Sequence, residues 1–217
     1  MEIRLDGRTA LITGGSMGLG KAMALAFAAA GANLVLVARR EDNLVTARAE
    51  IQAASPDARV EIVSADVQTQ AGCLAAYRHA ESVFGGVDIL VNNAGHNITE
   101  PFEDISEESF DRMLDVHVKG TFFMTQSAYR DMKRRGKGRI INITSQLAYK
   151  GAPKMAHYCA AKGANTTFTR ALALECGDTG VLVNAVAPGV THTDLLTPLA
   201  DEVLDTLKAS IPLNRFA

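Results

Sequence analysis

The sequence predicts an α/β fold, a doubly wound parallel sheet with helices on both faces, and three observations predict it. Short β-branched runs alternate with longer helical patterns along the 217 residues. A glycine-rich turn, TGGSMGLG, joins the first run to the first helix. The turns at Gly14, Arg39, Asp66, Asn93, Ser145 and Pro188 all follow strands. In a parallel sheet such turns gather along the carboxyl edge, where ligands bind.

Composition narrows the functional classes. The chain is 47% hydrophobic and 21% charged, with a net charge of −2, ordinary for a soluble globular protein. It carries no basic field for nucleic acid or an anionic membrane, and no apolar run of membrane-spanning length. The N-terminus lacks the apolar core of a signal peptide, so the cytoplasm is the expected location. Cys73, Cys159 and Cys176 are odd in number and lack metal-ligand spacing; they read as free thiols in a reducing compartment. No repeat, linker or second domain is evident, so residues 1–217 read as a single domain.

Residues 8–13 form an apolar run before the glycine turn, and an alanine-rich helix follows. Gly14, Gly18 and Gly20 keep the spacing G-x-x-x-G-x-G. Glycines there permit a tight turn, close approach of backbone to phosphate and close helix–strand packing, with helix N–H groups facing an anion. Strand 33–37 ends in Ala38-Arg39-Arg40. At that position of a dinucleotide fold an acid suits the 2′-hydroxyl of NAD and an arginine the 2′-phosphate of NADP. With no acid at 38–40, the expectation is NADP(H) in preference to NAD(H). Arg39 is the first phosphate candidate; Arg40 is either a second or a solvated opener of the next helix. Helix 41–53, strand 60–64 closing at Asp66-Val67, helix 70–84 and strand 87–91 follow. The last leads into Asn92-Asn93-Ala94-Gly95, residues suited to a turn lying against a ligand.

Residues 106–132 read as one long helix, N-capped by Ser106 with Glu107 and Glu108 in its first turn. Lys133-Arg134-Arg135 at its end would complement the dipole and solvate the surface. Strand 139–144 ends at Ser145. Tyr158 and Lys162, four apart, share one face of the next helix. A lysine beside a phenol favours the phenolate and lowers its pKa, giving a proton donor and acceptor near neutral pH. The Ser145 hydroxyl could bond a substrate oxygen. Alone, a Y-x-x-x-K pattern is common on solvated helix faces; here it follows a phosphate turn and a ribose discriminator. Strand 181–187 ends at Pro188-Gly189, and the remainder reads as a loop and a short helix.

In order and spacing, TGGSMGLG, Asp66-Val67, NNAG at 92–95, Ser145, Tyr158-Cys-Ala-Ala-Lys162 and Pro188-Gly189 resemble the short-chain dehydrogenase/reductase family over essentially the whole chain. The bacterial 3-oxoacyl-carrier-protein-reductase-like members look nearest. The resemblance implies a Rossmann-type sheet of strand order 3-2-1-4-5-6 and a homo-oligomer, dimer or tetramer. It implies Tyr158 as general acid in reduction and base in oxidation, with Lys162 lowering its pKa and holding the nicotinamide ribose. Ser145 would polarise the substrate oxygen. Gly14, Ser16, Met17, Gly18, Leu19 and Gly20 would cradle the pyrophosphate and adenosine phosphate, and Asp66 and Val67 would contact the adenine. Asn93, Ala94 and Gly95 would line the ribose, with Pro188, Gly189, Thr191 and Thr193 at the carboxamide end.

Two features depart from the family pattern. His117 stands where the family usually has an Asn that completes a catalytic tetrad. It reads as a tolerated substitute, a proton relay in its own right, or a helix-packing side chain. The chain also stops at Ala217, where similar members continue through another helix and a seventh strand. Substrate choice would fall to His96, Gln146, Leu147, Tyr149, Met155, His157 and the segment 190–217, with Leu195, Leu196 and Leu199 as an apolar lid or ordinary packing. Thr179 stands where related acyl-carrier-protein reductases often carry an Arg, which weakens that substrate. The expected function is an NADP(H)-dependent interconversion of a small ketone and a secondary alcohol. The alternatives are a dinucleotide binder without turnover, and a nucleotide-sugar epimerase or dehydratase, whose chains are usually longer.

Overall fold

The computed structural model describes residues 3–193 and 201–217; the expected lid leucines 195, 196 and 199 lie outside them. Six strands, β1 (Thr9–Thr13), β2 (Asn33–Ala38), β3 (Val60–Ser64), β4 (Ile89–Asn92), β5 (Gly138–Ile143) and β6 (Val181–Val186), form one sheet. Its order is β3-β2-β1-β4-β5-β6 and every pairing is parallel, as expected. The helices are α1 (Gly18–Ala29), α2 (Glu41–Ala54), α3 (Gln70–Phe84), α4 (Glu107–Leu114), α5 (Gly120–Arg135), α6 (Leu147–Lys150), α7 (Ala156–Glu175) and α8 (Asp201–Ala209).

The strand alternation sorts side chains onto the two faces. Leu11, Val35, Val37 and Leu90 pack with Met124, Met132 and Cys176 beneath α3, α5 and α7. Ala10, Ile12, Leu34, Leu36 and Val91 pack with Ala24, Ala28, Leu44 and Ile51 of α1 and α2. With both faces covered, the central strands are almost continuously apolar. At the β6 edge Leu182 and Val186 remain about half exposed.

The expected single helix over 106–132 is corrected. Ser106 does cap it, its hydroxyl accepting from the Ser109 N–H at 3.1 Å. Between α4 and α5, however, Asp115–Lys119 forms a π turn. Such a turn adds a residue and shifts the phase of the helix face. Apolar periodicity read across the segment does not reveal it.

The basic run at the end of α5 is also more than a solvated surface. Arg135 donates from Nε to Asp131 at 2.7 Å, from Nη1 to Asp88 at 2.9 Å and from Nη2 to the Val87 carbonyl. Arg134 reaches Asp131 at 2.7 Å, and Asp88 accepts from the Thr9 N–H at 3.1 Å. This ties the end of α5 to the amino ends of β1 and β4. Burial works against ionisation of Asp88 and Asp131, but these donors outweigh it and hold both carboxyls below their ordinary range. Asp131→Asn should lower the unfolding free energy by about 2 kcal/mol at neutral pH. Because a depressed carboxyl stabilises the fold only above its unfolded pKa, the gap to the parent should shrink as pH falls below about 4. Urea unfolding across pH 3–7 measures both.

Candidate active site

The carboxyl edge is built around the end of β1. The Thr13 hydroxyl oxygen accepts from the Asn93 and Ala94 N–H groups, at 3.0 Å each. The Asn93 side-chain amide donates to the Thr13 and Gly14 carbonyls at 3.1 and 3.2 Å, and the Gly14 N–H donates to Val37 at 2.7 Å. The ends of β1, β2 and β4 thus form one framework. Gly14 has φ +64°, and a Cβ at Gly20 would run into the Gly14 carbonyl. Both positions therefore need glycine. Asn93, expected to line a ribose, has its amide committed to holding this turn. Thr13 was not singled out in the sequence, where it looks like any β-branched strand residue.

At the α1 N-terminus, Met17 makes no side-chain cap, and the first turn carries no acid. Free N–H groups and the positive end of the dipole face outward beside Gly14 and Gly18, an arrangement that fits a pyrophosphate. Ser16 and Leu19 border the turn, each partly buried. The chain after β6 folds back towards it: a Cβ on Gly18 would lie 3.5 Å from Thr193. At the β2 terminus Arg39 and Arg40 are exposed. Arg40 Nη2 lies 3.4 Å from Met17 Sδ. With the Asn43 amide oxygen turned to it, Arg40 also donates there from Nε at 3.1 Å and Nη2 at 2.7 Å. Asp66 is exposed, its carboxylate accepting from the Gln68 N–H at 3.0 Å. Val67 keeps its side chain in the core beside Cys73, which leaves its backbone to contact an adenine.

Ser145 follows β5, and its oxygen accepts from the Leu147 N–H at 3.1 Å, leaving the hydroxyl proton for another acceptor. Tyr158 and Lys162 lie on α7 as expected, but their electrostatics differ. Lys162 is buried, donates to the Ile143 carbonyl at 2.8 Å and lies 5.8 Å from the Tyr158 ring centroid. Burial pushes its pKa down to about 8. Burial also raises the Tyr158 phenol above its ordinary value, with the Ser145 hydroxyl pulling it back. The net direction is upward rather than the expected lowering, because burial, the largest influence on the phenol, disfavours its charged form.

His117 lies in the π turn, buried, with its ring edge-on to Tyr158 at 5.4 Å. Its Nε2 donates to the His96 carbonyl at 2.7 Å, and its own carbonyl accepts from Asn165 Nδ2 at 2.8 Å. Burial, reinforced by Lys162, holds its pKa well below the usual histidine value. Of the three readings of His117, a neutral packed ring agrees with this burial, and a titrating relay does not. Two substrate candidates change as well. His157 is buried, with Nε2 3.5 Å from a Glu100 carboxylate oxygen that also accepts from Ser109. Both its ring nitrogens, and His96 Nε2, are sealed from solvent. Neither residue offers a substrate those atoms. Gln146, Leu147, Tyr149 and Met155 retain exposed surface. The Gln146 N–H donates to the Pro188 carbonyl at 3.0 Å, and the Gln146 side chain faces Gly189. The Thr191 hydroxyl donates to the Gly189 carbonyl at 3.2 Å.

His117 generates a pH prediction. Its folded pKa lies below the unfolded value, so as pH falls below about 6.5 the unfolded chain takes up a proton that the folded chain refuses. Stability is full above that pH and is lost on acidification. His117→Asn should remove up to about 1.4 kcal/mol per pH unit of that loss between pH 6.5 and 5, read by denaturant unfolding at each pH.

Comparison with known proteins agrees with this geometry. Residues 8–203 match the short chain dehydrogenase family. The chain is 35% identical to the 3alpha-hydroxysteroid dehydrogenase of Mediterraneibacter gnavus, over 99% of this chain and 86% of that protein. It is 34% identical to the 3-oxoacyl-acyl-carrier-protein reductase of Aquifex aeolicus, over 100% and 87%. The 3-ketoacyl-acyl-carrier-protein reductase of Brucella melitensis, solved with NADH, superposes with a TM-score of 0.87 at 35% identity, covering 97% of this chain and 85% of that one. A glycine turn, a Ser–Tyr–Lys group and a parallel sheet of this order therefore occur in a chain that belongs to the short-chain dehydrogenase/reductase family of oxidoreductases.

Proposed function

We propose that the protein is an NADP(H)-dependent oxidoreductase that interconverts a small ketone and a secondary alcohol, with Tyr158 transferring the proton. One observation carries this reading. A half-buried phenol lies with a serine hydroxyl and a buried lysine on the sheet edge that also carries the glycine turn. A nicotinamide dinucleotide bound along that edge supplies or accepts the hydride. Gly14, Gly18, Gly20 and the α1 N–H groups would hold its pyrophosphate, and Arg39 and Arg40 its 2′-phosphate, with Met17 and Asn43 orienting Arg40. No carboxylate at 38–40 competes for that phosphate, which supports NADP(H) over NAD(H).

The chain's own groups divide the work. Ser145 donates to the substrate oxygen and fixes its orientation. The Tyr158 phenol, protonated at neutral pH, gives its proton to the oxygen as negative charge develops there. Lys162, close to its transition between charged and neutral at pH 7–8, supplies a positive field on the far side of the ring and favours recovery of the proton from solvent. In the reductive direction Tyr158 would act as the acid, and in oxidation as the base. Gln146, Leu147 and Tyr149 would border the substrate. The three cysteines are unpaired, consistent with a reducing cytoplasm.

A homo-oligomer is part of the same proposal. Phe122, Phe168, Tyr129 and Leu172 line an apolar cleft between α5 and α7, and the Phe122 and Phe168 rings lie 5.4 Å apart. Phe122 and Leu174 are exposed. Two copies of this face would bury both.

Steady-state assays with NADPH against a panel of carbonyl compounds test the chemistry. Tyr158→Phe should lower kcat by about 10²–10⁴-fold; retained turnover refutes the proton-transfer role. Loss of the Arg39 and Arg40 charges together should raise the KM for NADPH about tenfold or more and leave that for NADH unchanged. Tight NADPH binding without turnover on any substrate would instead support the alternative of a non-catalytic dinucleotide binder, for which the substitution at His117 is the specific motive. For the assembly, Phe122→Glu should reduce the mass measured by light scattering to that of the monomer, and an unchanged mass rules out this face.

A further inference from the structure

A line of buried polar groups crosses the sheet beneath the site. Asn92 Nδ2, on β4, donates to Thr125 of α5 at 2.8 Å and to Asn142 of β5 at 2.9 Å. Asn142 donates to the Thr169 hydroxyl at 2.9 Å, and that hydroxyl donates to the Asn165 carbonyl at 2.7 Å. The Asn165 side chain then donates to the His117 carbonyl at 2.8 Å. All six residues are buried. Along α7 the residues Lys162, Asn165, Thr166 and Thr169 fall at i, i+3, i+4 and i+7, so the inward face is polar where a core helix would ordinarily be apolar.

That polarity has a physical cost. Asn165 Oδ1 is sealed from solvent without a partner, a desolvation penalty that a leucine of similar volume would avoid. What the amide provides is a donor, from a separate helix, to a carbonyl of the π turn, whose hydrogen bonding is less regular than that of the α-helices flanking it. The same residue's ring is held at its other end by the His96 carbonyl and lies edge-on to Tyr158.

We propose that Asn165 is a positioning residue of the reaction centre: by anchoring the His117 carbonyl from α7 it fixes the π turn, and through the His117 ring it fixes Tyr158. The ladder from Thr125 through Asn92, Asn142 and Thr169 holds the local backbone of α7 for this contact. The role rests on the reading of Tyr158 as the proton-transfer group.

The test substitutes Asn165→Leu, which keeps the volume and removes the donor. With NADPH and a carbonyl that the parent reduces, kcat should fall about tenfold or more while both KM values stay within about twofold, since misplacing a reacting group penalises the chemical step rather than ground-state binding. The pH midpoint of kcat should move as well. Independently of turnover, the ring ¹⁵N shifts of His117 should report one Nε2–H tautomer in the parent and an averaged ring in the variant. Thr125→Val should shift both readouts in the same direction by less. A variant with lower thermal stability but parental kcat and parental ring shifts overturns the proposal. Should Asn165→Leu not fold, the same two readouts on Thr125→Val decide it. If the parent reduces none of the panel, the proton-transfer reading fails, and the ring shifts alone decide whether Asn165 anchors the π turn.

Discussion

Two hydrogen bonds from the Asn93 amide to the Thr13 and Gly14 carbonyls bear the geometry of the whole carboxyl edge. Parallel strands end in N–H and C=O groups that the next element must satisfy, and here β4 satisfies those of β1 through a side chain and two main-chain amides. The junction leaves no room for a Cβ at Gly20, so α1 can approach closely enough to aim its free N–H groups along the edge. The same junction fixes the start of the segment that carries His96 and Glu100. The glycine turn and the segment that packs on His117 through His96 therefore share one origin in β1 and β4.

Desolvation sets the electrostatics of that site. It raises Tyr158, lowers Lys162 and lowers His117, each towards its uncharged form. Lys162 is left near its transition at about pH 8 and the Tyr158 phenol is left protonated. Desolvation also explains the polar inner face of α7. Lys162 remains buried because the Ile143 carbonyl accepts from it, and Asn165 and Thr169 find partners in neighbouring elements. The core beneath the site is thus specified by hydrogen bonds, whereas the core beneath α1 and α2 is specified by apolar packing.

Much of this was legible in the residues. Alternating strand and helix patterns indicated the layers, and the glycine spacing located the tight turn between β1 and α1. The absence of acid after β2 pointed to Arg39 and Arg40. Ser145, Tyr158 and Lys162 stood out because their chemistry fits one reaction. The side chains that hold these groups were not legible. Thr13 looks like an ordinary strand residue, Asn92 reads as part of a ligand-facing turn rather than the buried end of β4, and Asn165 resembles a solvated helix position, until their partners are seen 33 to 80 residues away in the chain. The π turn escaped notice because its extra residue leaves the apolar pattern on either side intact. His157, read as a substrate contact from its place beside Tyr158, points into the packing between α4 and the segment before it.

The sequence by itself determined the parallel sheet, the gathering of its turns at the carboxyl edge and the choice of Ser145, Tyr158 and Lys162 as candidates, because these depend on local periodicity, on glycine's freedom and on functional-group chemistry. Only the tertiary structure decided the ionisation of those groups and the company they keep. Burial and long-range hydrogen bonds are properties of neighbours brought together from distant segments: they turned a predicted phenolate-favouring lysine into a desolvated one, and decided among three readings of His117 for a neutral ring held between His96 and Asn165.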